Sequence, residues 1–134
     1  MGLSYQALKT TRQWRSSTGL DGAQFVVLCG HFAQAYESVY GQSLAERKGN
    51  SSREAVFRSY EELLFFILFS LKSGVTYDVL GLIFGCDMAT AQRNQKENLP
   101  ILRAALAAAG VMPARAFKTV QEFEDYFSNR VDAI

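Results

Sequence analysis

Cysteine and histidine are scarce in this chain, and their scarcity excludes a good deal. The two cysteines, Cys29 and Cys86, stand in apolar surroundings at a spacing that fits no metal or redox motif. They read as reduced, buried thiols. The one histidine, His31, falls on an expected helix, and a zinc site needs several more Cys or His. No metal site, cofactor or catalytic set is therefore expected. A charge excess is missing too: 14 Lys and Arg stand against 13 Asp and Glu, for +1 overall. Any basic surface has to come from local clustering. The longest apolar run, Leu63–Phe69 ("LLFFILF"), falls short of the roughly 20 residues a bilayer span takes, and Glu61, Glu62 and Lys72 flank it. The opening "MGLSYQALKT" lacks the apolar core of a signal peptide. These absences predict a soluble, cytoplasmic protein with no membrane partner.

What is present is helical spacing. The 134 residues, 49% hydrophobic and 20% charged, suit one globular domain, and the chain shows no strand pattern, repeat or low-complexity segment. Ser4 is a cap for a short helix "YQALKT", and "RQWRSSTG" reads as a basic connector. Asp21 opens an amphipathic helix with Phe25, Leu28, Cys29, Phe32, Tyr36 and Val39 at i, i+3, i+4, i+7 spacing, closed by Gly41. The polar "QSLAERKGNSS" reads as a loop. Ser51 and Glu54 have capping-box spacing, which predicts a central helix over about 52–72, apolar nearly all round. Gly74 stops it, and Thr76 caps "YDVLGLIF". Gly85 turns the chain into a helix over about 88–98, Pro100 begins "PILRAALAAA", and Gly110 closes that one. Thr119 and Glu122 form a further capping box. The expected fold is all-α, a compact multi-helix bundle. Its expected parts are an N-terminal arm and short helix (1–20), a helical DNA-binding domain (21–110), and a linker and helix (111–134).

The segment "TYDVLGLIFGCDMATAQRNQ" sets an apolar helix, a glycine turn and an almost wholly polar helix back to back. A helix-turn-helix over about 76–98 would use Val79, Leu80, Ile83 and Phe84 as its inward face. Gly81 would be the small residue at the crossing and Gly85 the turn. Cys86 would tuck under the turn, and Ala91 would pack back on the first helix. Asp87, Met88, Ala89, Gln92, Arg93 and Lys96 would then face outward, where Gln and Arg make bidentate contacts with adenine and guanine edges. The same pattern also fits an αα-hairpin with no DNA role. From Gln92 to Asn98 ("QRNQKEN") no apolar residue appears, so this helix either projects into a groove or is weakly anchored.

The stretch "EELLFFILFSLKSGVTYDVLGLIFGCDMATAQRNQKENLPILRAAL" resembles the N-terminal helix-turn-helix region of insertion-sequence transposases of the DDE superfamily. The matching parts are Leu63 to Lys72, Thr76 to Gly85, Asp87 to Asn98, and Leu99 with Pro100 and Leu102. "STGLDGAQFVVLCGHF" and "MPAR" are similar to further elements of that family. Two departures stand out. Asn94, Gln95 and Asn98 occupy positions the family usually makes apolar. The chain also ends at "VDAI", where the family continues into a ribonuclease-H-like domain with three catalytic acids. By resemblance, the chain is a first-frame or truncated product that binds double-stranded DNA at terminal inverted repeats without cutting it, and so is not an enzyme on its own. The resemblance also implies a bacterial, nucleoid-associated protein, a second-frame catalytic subunit as partner, and a homodimer through the outer face of "FFILF" or the alanine-rich side after Pro100. A transcriptional repressor built from the same domain, or a helical interaction protein without DNA binding, stands as the alternative.

Basic residues cluster twice. Lys9, Arg12 and Arg15 flank Trp14, and Arg47, Lys48, Arg53 and Arg58 surround the second polar stretch. Arg12, Arg15, Arg47 and Lys48 are the candidate phosphate contacts beside the reading helix. An ordinary solvated face is the other reading. Trp14 is either a core plug or part of a minor-groove arm.

Overall fold

The computed structural model describes residues 2–49 and 56–110, with the side chains of 48 and 49 left aside. Every regular element among them is helical. A single 3₁₀ turn (Tyr5–Ala7) precedes α1 (Thr11–Thr18), α2 (Gly22–Tyr40), α3 (Leu44–Gly49), α4 (Tyr60–Ser73), α5 (Tyr77–Phe84) and α6 (Met88–Ala109). α4 sits in the middle, against α1, α2, α6 and the 3₁₀ turn, while α6 also packs on α2 and α5.

Local chemistry sets the ends. Asp21 and Gln24 form a reciprocal capping box at the start of α2. Thr76 caps α5, and Gly41, Gly74, Gly85 and Gly110 close helices in the left-handed conformation. Three expectations change. The supposed basic connector is α1, because Thr10 and Gln13 make a full capping box. The supposed loop contains α3, where Ser43 and Glu46 exchange the same pair of bonds at 3.1 and 3.0 Å. The central helix begins at Tyr60 rather than near 52. Ser59 Oγ accepts the Glu62 N–H at 3.1 Å, and the Arg58 N–H donates to Glu62 Oε2 at 3.2 Å. The Ser51–Glu54 and Thr119–Glu122 boxes lie outside the described residues.

Further down the chain, the two helices expected on either side of Leu99 are one. α6 runs through Pro100 without a break. The missing N–H and the ring are tolerable because Pro100 is exposed, so the carbonyl one turn earlier can turn toward water. Meanwhile Leu99, Ile101, Leu102, Ala105 and Leu106 bury the opposite side.

α4 is apolar on every side, and Leu63 to Leu68 are all buried. Its phenylalanines meet α5 at Phe84, whose ring centroid lies 5.0 Å from Phe66, 5.5 Å from Phe69 and 5.9 Å from Phe65. Edge-to-face rings in this range add to the burial energy. This burial corrects one expectation, since "FFILF" has no free outer face for a homodimer. On α6, Ala104, Ala107 and Ala108 are exposed. Two residues expected to face inward point out: Val39 is 62% exposed and Val79 42%. Residues 2–20 pack onto the body. The Leu3 N–H donates to the Ile83 carbonyl at 2.9 Å, and Trp14 packs on Phe25 with centroids 4.9 Å apart and ring planes tilted by 48°. Trp14 is thus a plug over α2. Among the described residues, no helix is long and apolar enough to cross a membrane.

Candidate nucleic-acid interface

The turn between α5 and α6 is tight. The Gly81 carbonyl accepts the N–H of both Gly85 and Cys86, and Gly85 takes φ 76° and ψ 35°. Gly81 is needed for a separate reason. A Cβ there would collide with the Cys86 carbonyl oxygen and crowd the Asp87 backbone. Only a hydrogen at this position lets α5 lie against its own following turn. Cys86 is half-buried below it, and its thiol pKa is raised by burial and then by Asp87.

α6 starts at Asp87, whose Oδ1 accepts the Thr90 N–H at 2.7 Å. That bond makes Asp87 the N-cap of α6, and the residue is exposed. Past the cap, Met88, Ala89, Arg93 and Lys96 are exposed and Gln92 is half-buried. Positions 88, 89, 92, 93 and 96 share one face over two turns. Among the described residues, the Arg93 guanidinium donates one hydrogen bond, to Thr90 Oγ1 at 3.5 Å.

The opposite face of this half-helix is polar and nevertheless buried. Gln95 is 5% exposed and Asn98 4%. Gln95 Oε1 accepts the Tyr77 hydroxyl at 2.5 Å, and Gln95 Nε2 donates to Ser70 Oγ at 2.9 Å. Ser70 passes its own proton to the Ile67 carbonyl at 2.6 Å. Burial raises the Tyr77 pKa, so its phenol stays a donor. Asn94 and Asn98 each donate back to the carbonyl one turn earlier, at 2.9 and 2.7 Å. The missing apolar residues therefore do not leave this half of α6 unanchored. Directed hydrogen bonds to α4 and α5 hold it. The signal was present in sequence as amides at inner positions, with Tyr77 and Ser70 as available partners on neighbouring helices.

The basic residues expected to flank the reading face divide. Arg12 and Arg15 are exposed on α1, which packs on α4. Arg47 is engaged elsewhere. Its Nη1 donates to the Tyr36 hydroxyl at 2.6 Å, and its guanidinium lies 3.6 Å from the Tyr40 ring centroid. It clamps α3 onto the end of α2. Tyr60 completes this corner, donating to Glu37 Oε2 at 2.8 Å and accepting the Leu44 N–H at 3.0 Å. Burial, then Glu37 and Tyr36, push its pKa up to about 12. Arg58 is exposed, and the Lys48 side chain and Arg53 lie outside the described residues. Among the described residues, no three His, Cys, Asp or Glu side chains come together as a metal site would require.

Openings among the described residues lie elsewhere. A cleft of about 180 Å³ sits between Gly2–Ser4, Phe57, Glu62 and Phe84. A shallow apolar groove of about 390 Å³ runs along α2, lined by Trp14, Phe25, Val26, Cys29, Gly30 and Ala33. Burial and then Glu61 push the Cys29 thiol up to about 12, which leaves it a poor nucleophile. Set against known protein families, curated proteins and solved structures, the chain matches none of them.

Proposed function

We propose that the chain is a sequence-specific double-stranded DNA-binding module in which the α5–turn–α6 pair acts as a helix-turn-helix and the N-terminal half of α6 reads base edges. The carrying observation is that face itself. Met88, Ala89, Gln92, Arg93 and Lys96 stand outward on a helix whose start is fixed by the Gly81–Gly85 turn and the Asp87 cap. Gln and Arg at such positions are base readers, and Lys96 suits a phosphate. Arg12 and Arg15 remain candidate backbone contacts, whereas Arg47 has a structural engagement that argues against that role. The resemblance of Leu63 to Leu102 to insertion-sequence transposases supports terminal inverted repeats as the site and a second-frame catalytic subunit as partner. A repressor of the same element would bind at its promoter instead.

The test is titration of Arg93→Ala and Lys96→Ala against a selected duplex and a random one, at two salt concentrations. Arg93→Ala should lose about 1–3 kcal/mol on the selected site and far less on random DNA. Lys96→Ala should weaken both alike and lower the salt slope by about one. No wild-type binding at low salt would reject the reading. A helical interaction protein would then be favoured, for which the exposed Val79, Leu82 and Met88 speak.

A further inference from the structure

The inner face of the reading half of α6 is made of one methyl group and three amides: Ala91, then Asn94, Gln95 and Asn98. A face this poor in apolar bulk gives little packing preference for one rotation of the helix over another. Between the Asp87 cap and Leu99, the directed side-chain bonds from this face to other helices among the described residues are those of Gln95. It spends its carbonyl on α5, through Tyr77, and its amide on α4, through Ser70. Because Ser70 donates to the Ile67 carbonyl, it must accept from the Gln95 NH₂, and Tyr77 must then donate to Gln95 Oε1. A flipped amide would strand one of these protons.

We propose that Gln95, held by Tyr77 and Ser70, is the positioning residue that sets the rotation of the N-terminal half of α6 and so aims Arg93; the claim rests on reading that face as the DNA-contacting one. Two residues along an α-helix is a turn of about 200°, so Arg93 projects nearly opposite Gln95. A guanidinium carried roughly 8 Å from the helix axis moves about 2 Å for a rotation of about 15°, enough to break a bidentate base contact. Polar networks buried in this way characteristically specify one arrangement and add little net stability. Replacing both partners by apolar groups of similar shape is often neutral.

Gln95→Leu combined with Tyr77→Phe removes both partners without leaving an orphan phenol, and Ser70 keeps its bond to Ile67. In the full chain this variant should melt close to wild type. Its backbone amide resonances for residues 88–98 should shift, double or broaden, while those of 99–109 stay in place. In selection from a random duplex library, the variant should lose about tenfold or more on the wild-type motif while holding random DNA within about twofold. Unchanged, single resonances over 88–98, or the same motif bound with the same affinity, would overturn the proposal. If wild type enriches no motif, the DNA reading falls, and the resonances alone decide the rotational claim. If the double variant fails to fold, Tyr77→Phe alone carries the test, since it keeps the Ser70 bond and should give the same pattern more weakly.

Discussion

The two halves of α6 are held by different physics. From Leu99 onward the inner face is Leu99, Ile101, Leu102, Ala105 and Leu106, each no more than 1% exposed. Before Leu99 it is Ala91 with three amides, of which Gln95 bonds to α5 and α4 while Asn94 and Asn98 bond back within α6. Apolar contact is non-directional and scales with area, so the second half supplies stability and tolerates small rotations. Hydrogen bonds are directional and modest in net energy, so the first half obtains orientation more than stability. The orientation-controlled half is the one that carries Gln92, Arg93 and Lys96 on its outer side.

Leu102→Ala strikes the apolar half where it is fully buried. It should cost about 2–5 kcal/mol in chemical denaturation, through lost transfer energy and the cavity left behind. Among molecules still folded, the ratio of selected-site to random-DNA affinity should not change. A changed ratio would mean that the two halves are not separable.

How much of this was legible beforehand depended on the kind of signal. The glycine closures at 41, 74, 85 and 110 and the caps Asp21 and Thr76 were readable because a left-handed residue or a side-chain cap is a local requirement. α1, α3 and the start of α4 used the same capping chemistry at Thr10–Gln13, Ser43–Glu46 and Ser59–Glu62. Spacing does not single them out, because the residues that follow look polar or because Ser51–Glu54 offers an equally good box. The continuity of α6 was hidden twice. Pro100 is a local stop signal that tertiary burial overrides, and the inner stripe Ala91, Gln95, Asn98, Leu102, Ala105 is regular only when buried amides count as inner residues. The outward face is legible in the spacing, with Asp87, Met88, Ala89, Arg93 and Lys96 exposed and Gln92 half-buried. Spacing places Arg47 among the candidate phosphate contacts, and its packing over the Tyr40 ring, between α3 and α2, is a contact that spacing alone does not reveal.

The turn joins the polar half of α6 to α5, and Gly81 is where it can be broken. Gly81→Ala places a methyl group against the Cys86 carbonyl and the Asp87 backbone, neither of which can swing away as a side-chain tip would. The expected loss is about 1–3 kcal/mol. Unlike Leu102→Ala, it should also weaken DNA binding in the folded fraction, because the start of α6 must shift. An unchanged melting midpoint would count against the close approach of α5 to the turn.

The smallest effect expected has the opposite sign, and it separates the two kinds of polar residue within the first half. Asn98 shares the inner face with Gln95 but not its partners. Its Nδ2 donates to the Asn94 carbonyl, which the helix ladder already occupies, and among the described residues its buried Oδ1 accepts no hydrogen bond. An acceptor left in that state costs stability, whereas leucine has the same branched side-chain skeleton, with bulkier methyl groups, and would extend the apolar stripe that begins at Leu99. Asn98→Leu should therefore raise stability by about 1 kcal/mol, a few degrees in melting midpoint. It should leave the motif preference intact, since Gln95 still fixes the rotation. Thermal melts of Asn98→Leu beside Gln95→Leu/Tyr77→Phe, each paired with a DNA titration, make the contrast measurable. If Asn98→Leu also relaxes the preference, orientation is spread along the whole amide face and does not reside in the Tyr77–Gln95–Ser70 chain.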